Sequence, residues 1–441
     1  MNVDLYSDGL FVVVTISWAL VTYYLVQKLP KQKRTHRLIL MGAVVLAIIL
    51  VAIVGFRVLF PSDKLPSDLS LMTIPLGVSL GLAVNFIYAK KIKLCIISAV
   101  GLVGGLLLGA LLVNGYYHYY PTLYTALGLQ TIKAFEADQN SSITYSATKK
   151  PTAAAMNTTA SIEAQLYEAN PSTAGKIIPV TIPGTVSKFA ARSGYAYVPA
   201  AANGAGRINL PVIVLTAGFP GVPGNWLGGN QMEATMDQFA KLHHGITPYI
   251  FMVDNLGSTV NDTECVDSAR GNAETYLTTD VPAYIKSHYE VTADPSGWAL
   301  GGLSLGGMCS VMLTLRHPNA YHYFLDFGGE TGPEIGSKQK TISGLFNNSE
   351  SAWDAHQPLL LLQKNKYPGL GGFLAVGKSD AHNLVAGMGQ LYQETQSAQI
   401  DSVMQLLGGE HTFTTWQESY KDALPWISNR LGATTCIGAC H

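Results

Sequence analysis

The sequence predicts two parts of different class: an N-terminal four-helix transmembrane region, then an α/β domain whose mostly parallel sheet carries helices on both faces. Three observations predict this. The apolar excess is gathered in the first 125 residues. From residue 175 onward, short apolar strands alternate with helical stretches, the pattern of a parallel sheet with crossover helices. One predicted strand passes into a predicted helix through Gly302-Leu303-Ser304-Leu305-Gly306, a turn that carries a serine.

The chain has 441 residues, more than one domain's worth. Only 13% are charged and the net charge is −1, so nothing suggests nucleic-acid binding. Mean hydropathy is +0.21, high for a soluble protein. Four apolar stretches, about residues 10–26, 38–56, 69–89 and 94–116, each approach the ~20 residues that cross a bilayer. A cleaved signal peptide fits the first poorly, because Asp4 and Asp8 stand where basic residues belong and no small-residue cleavage site precedes Lys28. The first connection carries Lys28, Lys31, Lys33, Arg34 and Arg37, and the third carries Lys90, Lys91 and Lys93. The positive-inside rule then turns the N-terminus and the catalytic part outward from the cytoplasmic membrane. Tyr116, Tyr117, Tyr119, Tyr120 and Tyr124 suit an interfacial belt after the fourth span. Gly77 and Gly81, and Gly101, Gly105 and Gly109, form small-residue faces that suit packing within one bundle.

Residues 1–125 are read as the transmembrane domain, 126–174 as a tether rich in Ala, Ser, Thr and Asn, and 175–441 as the catalytic domain. Within the last, strands are expected at 177–182, 194–198, 212–215, 249–253, 298–303, 323–327, 372–376 and 403–407. Helices are expected at 231–242, 273–288, after Ser304, at 383–396 and at 416–431.

Ser304 is the candidate nucleophile, since the flanking glycines let the backbone turn sharply and lift the hydroxyl out of the fold. A serine hydroxyl needs a base. In the chain order Ser, acid, His, that base is His411, which follows the last strand in Leu407-Gly408-Gly409-Glu410-His411. The acid that orients the imidazole is Asp380, after a strand and a turn in Val376-Gly377-Lys378-Ser379-Asp380; Asp326 is the runner-up. The oxyanion hole needs two backbone N–H groups, expected from Leu305 and from Phe219 in Thr216-Ala217-Gly218-Phe219-Pro220-Gly221. Trp226, further along that loop, is a candidate pocket residue.

These motifs resemble the putative-esterase family of α/β-hydrolases, which takes in esterase D-type enzymes and the secreted mycolyltransferases of mycobacteria. The resemblance covers about residues 175–431 and includes Trp416 and Leu424-Pro425-Trp426 downstream of His411. Asn261-Asp262-Thr263-Glu264-Cys265-Val266-Asp267, with residues 276–282, looks like the actinobacterial branch. The resemblance implies the α/β-hydrolase fold, a Ser304–Asp380–His411 triad and oxyanion donors at Phe219 and Leu305. Thr216-Ala217-Gly218 departs from the commoner His-Gly or Asp-Gly before the oxyanion residue.

Cys265, Cys309, Cys436 and Cys440 lie in the outer domain and allow three pairings, or free thiols. A Cys265–Cys309 bridge fits neighbouring strands, and Cys436 and Cys440 could close a small terminal loop. No Cys/His spacing suits a metal, and the chemistry asks for neither metal nor cofactor.

The leading expectation is a membrane-anchored serine esterase acting through an acyl-enzyme on envelope lipid esters, such as aminoacyl-phospholipids or acyl glycolipids. An acyltransferase of mycolyltransferase type, with a sugar hydroxyl as acceptor, shares the same triad. A non-catalytic membrane assembly protein is the reading from another class.

Overall fold

The computed structural model describes residues 8–28, 34–59, most of 73–83, 92–117, 123, 174–203, 209–259 and 261–433. The tether up to residue 173, Cys436 and Cys440 lie outside the described residues. The chain divides into two compact units, Met1–Gln130 and Thr131–His441.

In the first unit, Asp8–Gln27 (α1), Arg34–Leu59 (α2) and Ile92–Tyr117 (α3) are helices. The described residues of the expected third span, within 73–83, are helical as well. Large apolar side chains on these helices face outward, among them Ile16, Leu20, Leu46, Leu50, Val100 and Val103. That inverts the soluble pattern and suits a lipid solvent. Among the described residues one stretch, Ile92–Gly115, is both long and apolar enough to cross a bilayer; Val12–Gln27 is apolar but shorter. The small residues are spent inside this unit. A Cβ on Gly105 would stand 2.7 Å from the Pro75 carbonyl oxygen, and one on Gly77 would stand 2.9 Å from Val45 Cα. Beside Gly101, Trp18 Nε1 donates to Ser79 Oγ (2.8 Å), which donates to the Gly101 carbonyl (2.9 Å).

The second unit is built on an eight-stranded sheet. Its strands are β1 (Lys176–Val180), β2 (Gly194–Val198), β3 (Val212–Thr216), β4 (Tyr249–Val253), β7 (Trp298–Leu303), β8 (Tyr323–Phe327), β9 (Gly371–Gly377) and β10 (Asp401–Leu407), in the order β1-β2-β4-β3-β7-β8-β9-β10. Two-residue strands β5 (Asp267–Ser268) and β6 (Gly271–Asn272) form a separate hairpin. β1–β2 and β2–β4 pair antiparallel, and from β4 through β3, β7, β8 and β9 to β10 every pairing is parallel. β3, β4, β7 and β9 are buried along their whole length, as expected of strands covered on both faces.

One face carries α5 (Val281–His288), α6 (Leu305–Arg316), α9 (Pro358–Lys364) and α10 (His382–Ser397). Ile285, Met308 and Met312 pack with Val214 and Leu300 there, and Val311, Leu362 and Met388 pack with Phe324 and Leu374. The other face carries α4 (Met232–Leu242) and α11 (Phe413–Arg430). There Tyr420 meets Phe327 and Trp226 edge-on, and Trp426 packs on Phe373. The helix expected at 273–288 is interrupted by a π turn at Tyr276–Asp280.

Between β8 and β9 the chain makes an excursion in a stretch where the sequence predicts no helix. It holds three short helices, α7 (Lys338–Leu345), α8 (Glu350–Asp354) and α9. Ser337 and Ser349 cap the first two through Lys340 N–H and Ala352 N–H. A buried carboxylate anchors the excursion: Glu274 accepts from Arg316 Nε (2.8 Å), His317 Nε2 (2.6 Å) and His356 Nε2 (2.9 Å). Burial alone would raise the Glu274 pKa; the hydrogen bonds from His317 and His356 and the Arg316 charge overcome it and hold the carboxyl well below its usual range.

Cys265 and Cys309 form a disulfide across 44 residues of sequence, which joins the segment after β4 to α6. A loop of that size contributes about 4 kcal/mol in the chain-entropy account. Reductant should therefore lower the thermal midpoint of the purified protein and leave a Cys265→Ser/Cys309→Ser variant unmoved. An equal drop in both would show that the bridge contributes nothing.

Candidate active site

β7 runs into α6 through Ser304, whose backbone sits at φ +53°, ψ −126°. An L-residue resists that conformation, and the surroundings enforce it. Ser304 N–H donates to the Phe327 carbonyl (2.9 Å), while Gly307 and Met308 N–H turn back onto the Ser304 carbonyl (2.7 and 3.2 Å). The glycines are steric necessities. A Cβ on Gly302 would overlap the Gly306 backbone, and one on Gly306 would stand 2.6 Å from the Thr216 carbonyl oxygen.

His411 reaches Ser304 from the loop after β10. Its Nε2 lies 2.9 Å from Ser304 Oγ and its Nδ1 lies 2.8 Å from Asp380 Oδ2. The Asp380 side chain is 4% exposed and His411 18%, so the acid is covered while the base borders solvent. Ala381 N–H holds the other carboxylate oxygen at 2.7 Å. The acid loop and the histidine loop are laced together, with Lys378 N–H on the Leu407 carbonyl and Ser379 N–H on the Gly409 carbonyl. Gly409, at φ +101°, permits this approach; a Cβ on Gly377 would stand 2.5 Å from the Gly409 carbonyl oxygen. Trp416 supports the imidazole in a T-shaped contact, with ring centres 4.8 Å apart.

Asp326, the other carboxylate considered, does not reach the histidine. It is fully buried beneath the elbow, where Oδ1 accepts from Gly329 N–H (2.7 Å). Burial pushes its pKa up to about 7, partly offset by that hydrogen bond.

The loop after β3 lies against the nucleophile, since a Cβ on Gly218 would stand 3.1 Å from Ser304 Cβ. Leu305 opens α6, where the first N–H groups of a helix have no partner within it. Trp226 is no pocket residue. It is fully buried, with Nε1 donating to the Thr216 carbonyl (3.1 Å) and its ring against Phe327 and Tyr420.

Three residues the sequence reading passed over hold this loop: Arg192, Asp254 and Asn255. Asn255 Nδ2 donates to the Ala217 carbonyl (3.0 Å), and Arg192 Nη2 donates to the Gly221 carbonyl (3.0 Å) and to Asp254 Oδ1 (2.6 Å). Their signal was available. Asp254-Asn255 are polar residues at the carboxyl end of a buried parallel strand, where sites in such sheets are built. Among the described residues, no group of three or more His, Cys, Asp or Glu side chains is placed to hold a metal ion.

A family described as "Putative esterase" matches residues 191–427. An uncharacterized protein of Corynebacterium glutamicum is 34% identical over 268 residues, covering 58% of this chain and 63% of its own length. The diacylglycerol acyltransferase/mycolyltransferase Ag85A of Mycobacterium leprae is 24% identical over 193 residues, covering 36% of this chain and 57% of its own. The chain thus spans about three-fifths of the length of these curated relatives. Among solved structures, a ferulic acid esterase aligns with a TM-score of 0.49 at 17% identity, covering 59% of this chain and 99% of its own.

Asp326 carries a pH signature. Its folded pKa of about 7 lies above the ordinary 3.8, so the folded state keeps a proton that the unfolded chain releases. Its contribution is present below about pH 4 and is lost as pH rises toward 7. Asp326→Asn should flatten that part of the stability profile, by a few kcal/mol between pH 4.5 and 7.5 in denaturant titrations. Parallel profiles for the two proteins would refute the assignment.

Proposed function

The chain belongs to the putative esterase family, and from that premise we propose that it is a membrane-anchored serine esterase facing outward from the cytoplasmic membrane and cleaving carboxylic esters of envelope lipids. The observation that carries the reading is the single line of hydrogen bonds from Asp380 through His411 to Ser304.

The chemistry follows from that line. His411 Nε2 takes the Ser304 proton as Oγ attacks the ester carbonyl carbon. The charge that develops on the carbonyl oxygen is met by Phe219 N–H and Leu305 N–H. Asp380 holds Nδ1–H and stabilises the imidazolium. His411 then protonates the departing alcohol, leaving an acyl group on Ser304. Water, with its proton passing to His411, attacks the acyl carbon; the acyl–Oγ bond breaks, His411 returns the proton to Ser304 Oγ and the acid leaves.

Four apolar stretches with basic first and third connections support a four-span anchor and an outer catalytic domain. Aminoacyl-phospholipids and acyl glycolipids are the substrate classes this location brings within reach. A second reading, transfer of the acyl group to a sugar hydroxyl in place of water, is favoured by the match to the leprosy-bacillus mycolyltransferase.

Ser304→Ala should abolish labelling by a fluorophosphonate probe and ester turnover without unfolding the protein; retained labelling would sink the assignment. His411→Ala and Asp380→Asn should each lower turnover about a thousandfold or more. External protease added to intact cells should cut within residues 126–174, and protection there would reverse the orientation.

A further inference from the structure

The oxyanion loop, residues 217–221, is gripped from outside itself at both ends. At the front, Asn255 Nδ2 holds the Ala217 carbonyl at 3.0 Å. At the back, Arg192 Nη2 holds the Gly221 carbonyl at 3.0 Å. Phe219 lies midway between the two. We propose that Arg192 and Asn255 are positioning residues for the oxyanion hole, fixing where the Phe219 N–H points. The inference rests on the esterase reading above.

The grip is rigid because Asp254 is saturated. Its side chain is fully buried and accepts from Arg192 N (2.7 Å), Nε (3.0 Å) and Nη2 (2.6 Å), and from Leu256 N (3.1 Å) and Gly257 N (3.1 Å). A guanidinium is planar, so Nε–H and one Nη2–H committed to one carboxylate fix the directions of the others. The second Nη2–H meets the Gly221 carbonyl, and Nη1 donates to Thr259 Oγ1 (3.1 Å). Asn255 is the next residue, at the end of β4, which pairs with β3 so that Val253 faces Thr216. One short segment therefore sets both ends of the loop.

The same segment reaches the other oxyanion donor. Thr263 Oγ1 donates to the Asn255 carbonyl (2.7 Å) and accepts from Cys265 N–H (3.1 Å). Cys265 is bonded to Cys309 in the first turns of α6, the helix that Leu305 opens. The two N–H groups that must converge on one oxygen are thus members of a single closed frame. A contact of this kind acts on the transition state, where charge sits on that oxygen, and little on substrate binding. Loss of a whole oxyanion donor costs about a hundred- to thousandfold, and a misaimed one less.

The test uses the full-length, detergent-solubilised protein with p-nitrophenyl butyrate, and sites counted by fluorophosphonate labelling to completion. Arg192→Ala, Arg192→Lys and Asn255→Ala should each lower kcat per labelled site about ten- to a hundredfold with KM within about threefold. Added guanidinium ion should restore part of the rate to Arg192→Ala and none to Asn255→Ala. Thr259→Val should stay within about twofold, since Thr259 takes only Arg192 Nη1. Wild-type kcat per labelled site in the Arg192 and Asn255 variants would overturn the inference, as would a loss appearing only in KM. Counting sites before comparing rates keeps a variant that folds poorly from being mistaken for a misaimed one, and Asn255→Ala tests the front grip independently of Arg192. Labelling that survives Ser304→Ala would instead fell the esterase reading itself; labelling lost there, with wild-type kcat at Arg192 and Asn255, would overturn this inference alone.

Discussion

The catalytic unit is organised around one strained residue. Ser304 sits at a positive φ that costs an L-residue on the order of 1–3 kcal/mol. Everything adjacent resists its relaxation. β8 lends the Phe327 carbonyl to its N–H, α6 closes its first turn on its carbonyl, and Gly302 and Gly306 vacate the space that side chains would fill. The buried β7 beneath gives the turn nowhere to move.

Two separate walls then converge on that hydroxyl. Chain preceding the elbow brings the loop after β3 and the Arg192–Asp254 pair that holds it to the side of the proposed oxyanion hole, which Leu305, after the elbow, borders from α6. Chain following the elbow builds the proton side, from the ends of the neighbouring parallel strands β9 and β10. Gly377 and Gly409 let those two strand ends touch, so acid and base share one support. Asp326 shows why a carboxylate at the end of the intervening strand is not interchangeable with Asp380. Its side chain points under α6 and stays covered, where burial favours its neutral form.

Much of this was legible in the residues. Strands at 194–198, 249–253, 298–303 and 323–327 have the expected bounds because each is a short apolar run between turn residues, buried on both faces. Ser304, Asp380 and His411 follow from chain order, since each stands just beyond a strand. The helices at 338–364 were not legible, because they are short, capped by serines and hold few core residues. Trp226 was misassigned for a related reason: a loop position says nothing about which way an indole points, and this one points into the core. The Arg192 grip escaped because it joins residues 62 apart in sequence, and no local pattern records such a pair.

The excursion between β8 and β9 has a consequence for how such a chain can change over time. It leaves the sheet at Gly328, which lies against His411 and Trp416, and rejoins it at β9. Midway, His356 moors it to the Glu274 carboxylate on the flank of α6. Between those moorings Leu345 and Phe346 pack into the same core as Leu305, Cys265 and Cys309. Its outer turn around residues 347–351 is largely exposed and can vary, while Leu345 and Phe346 must keep their packing, so selection can remodel the rim of this segment more freely than its root.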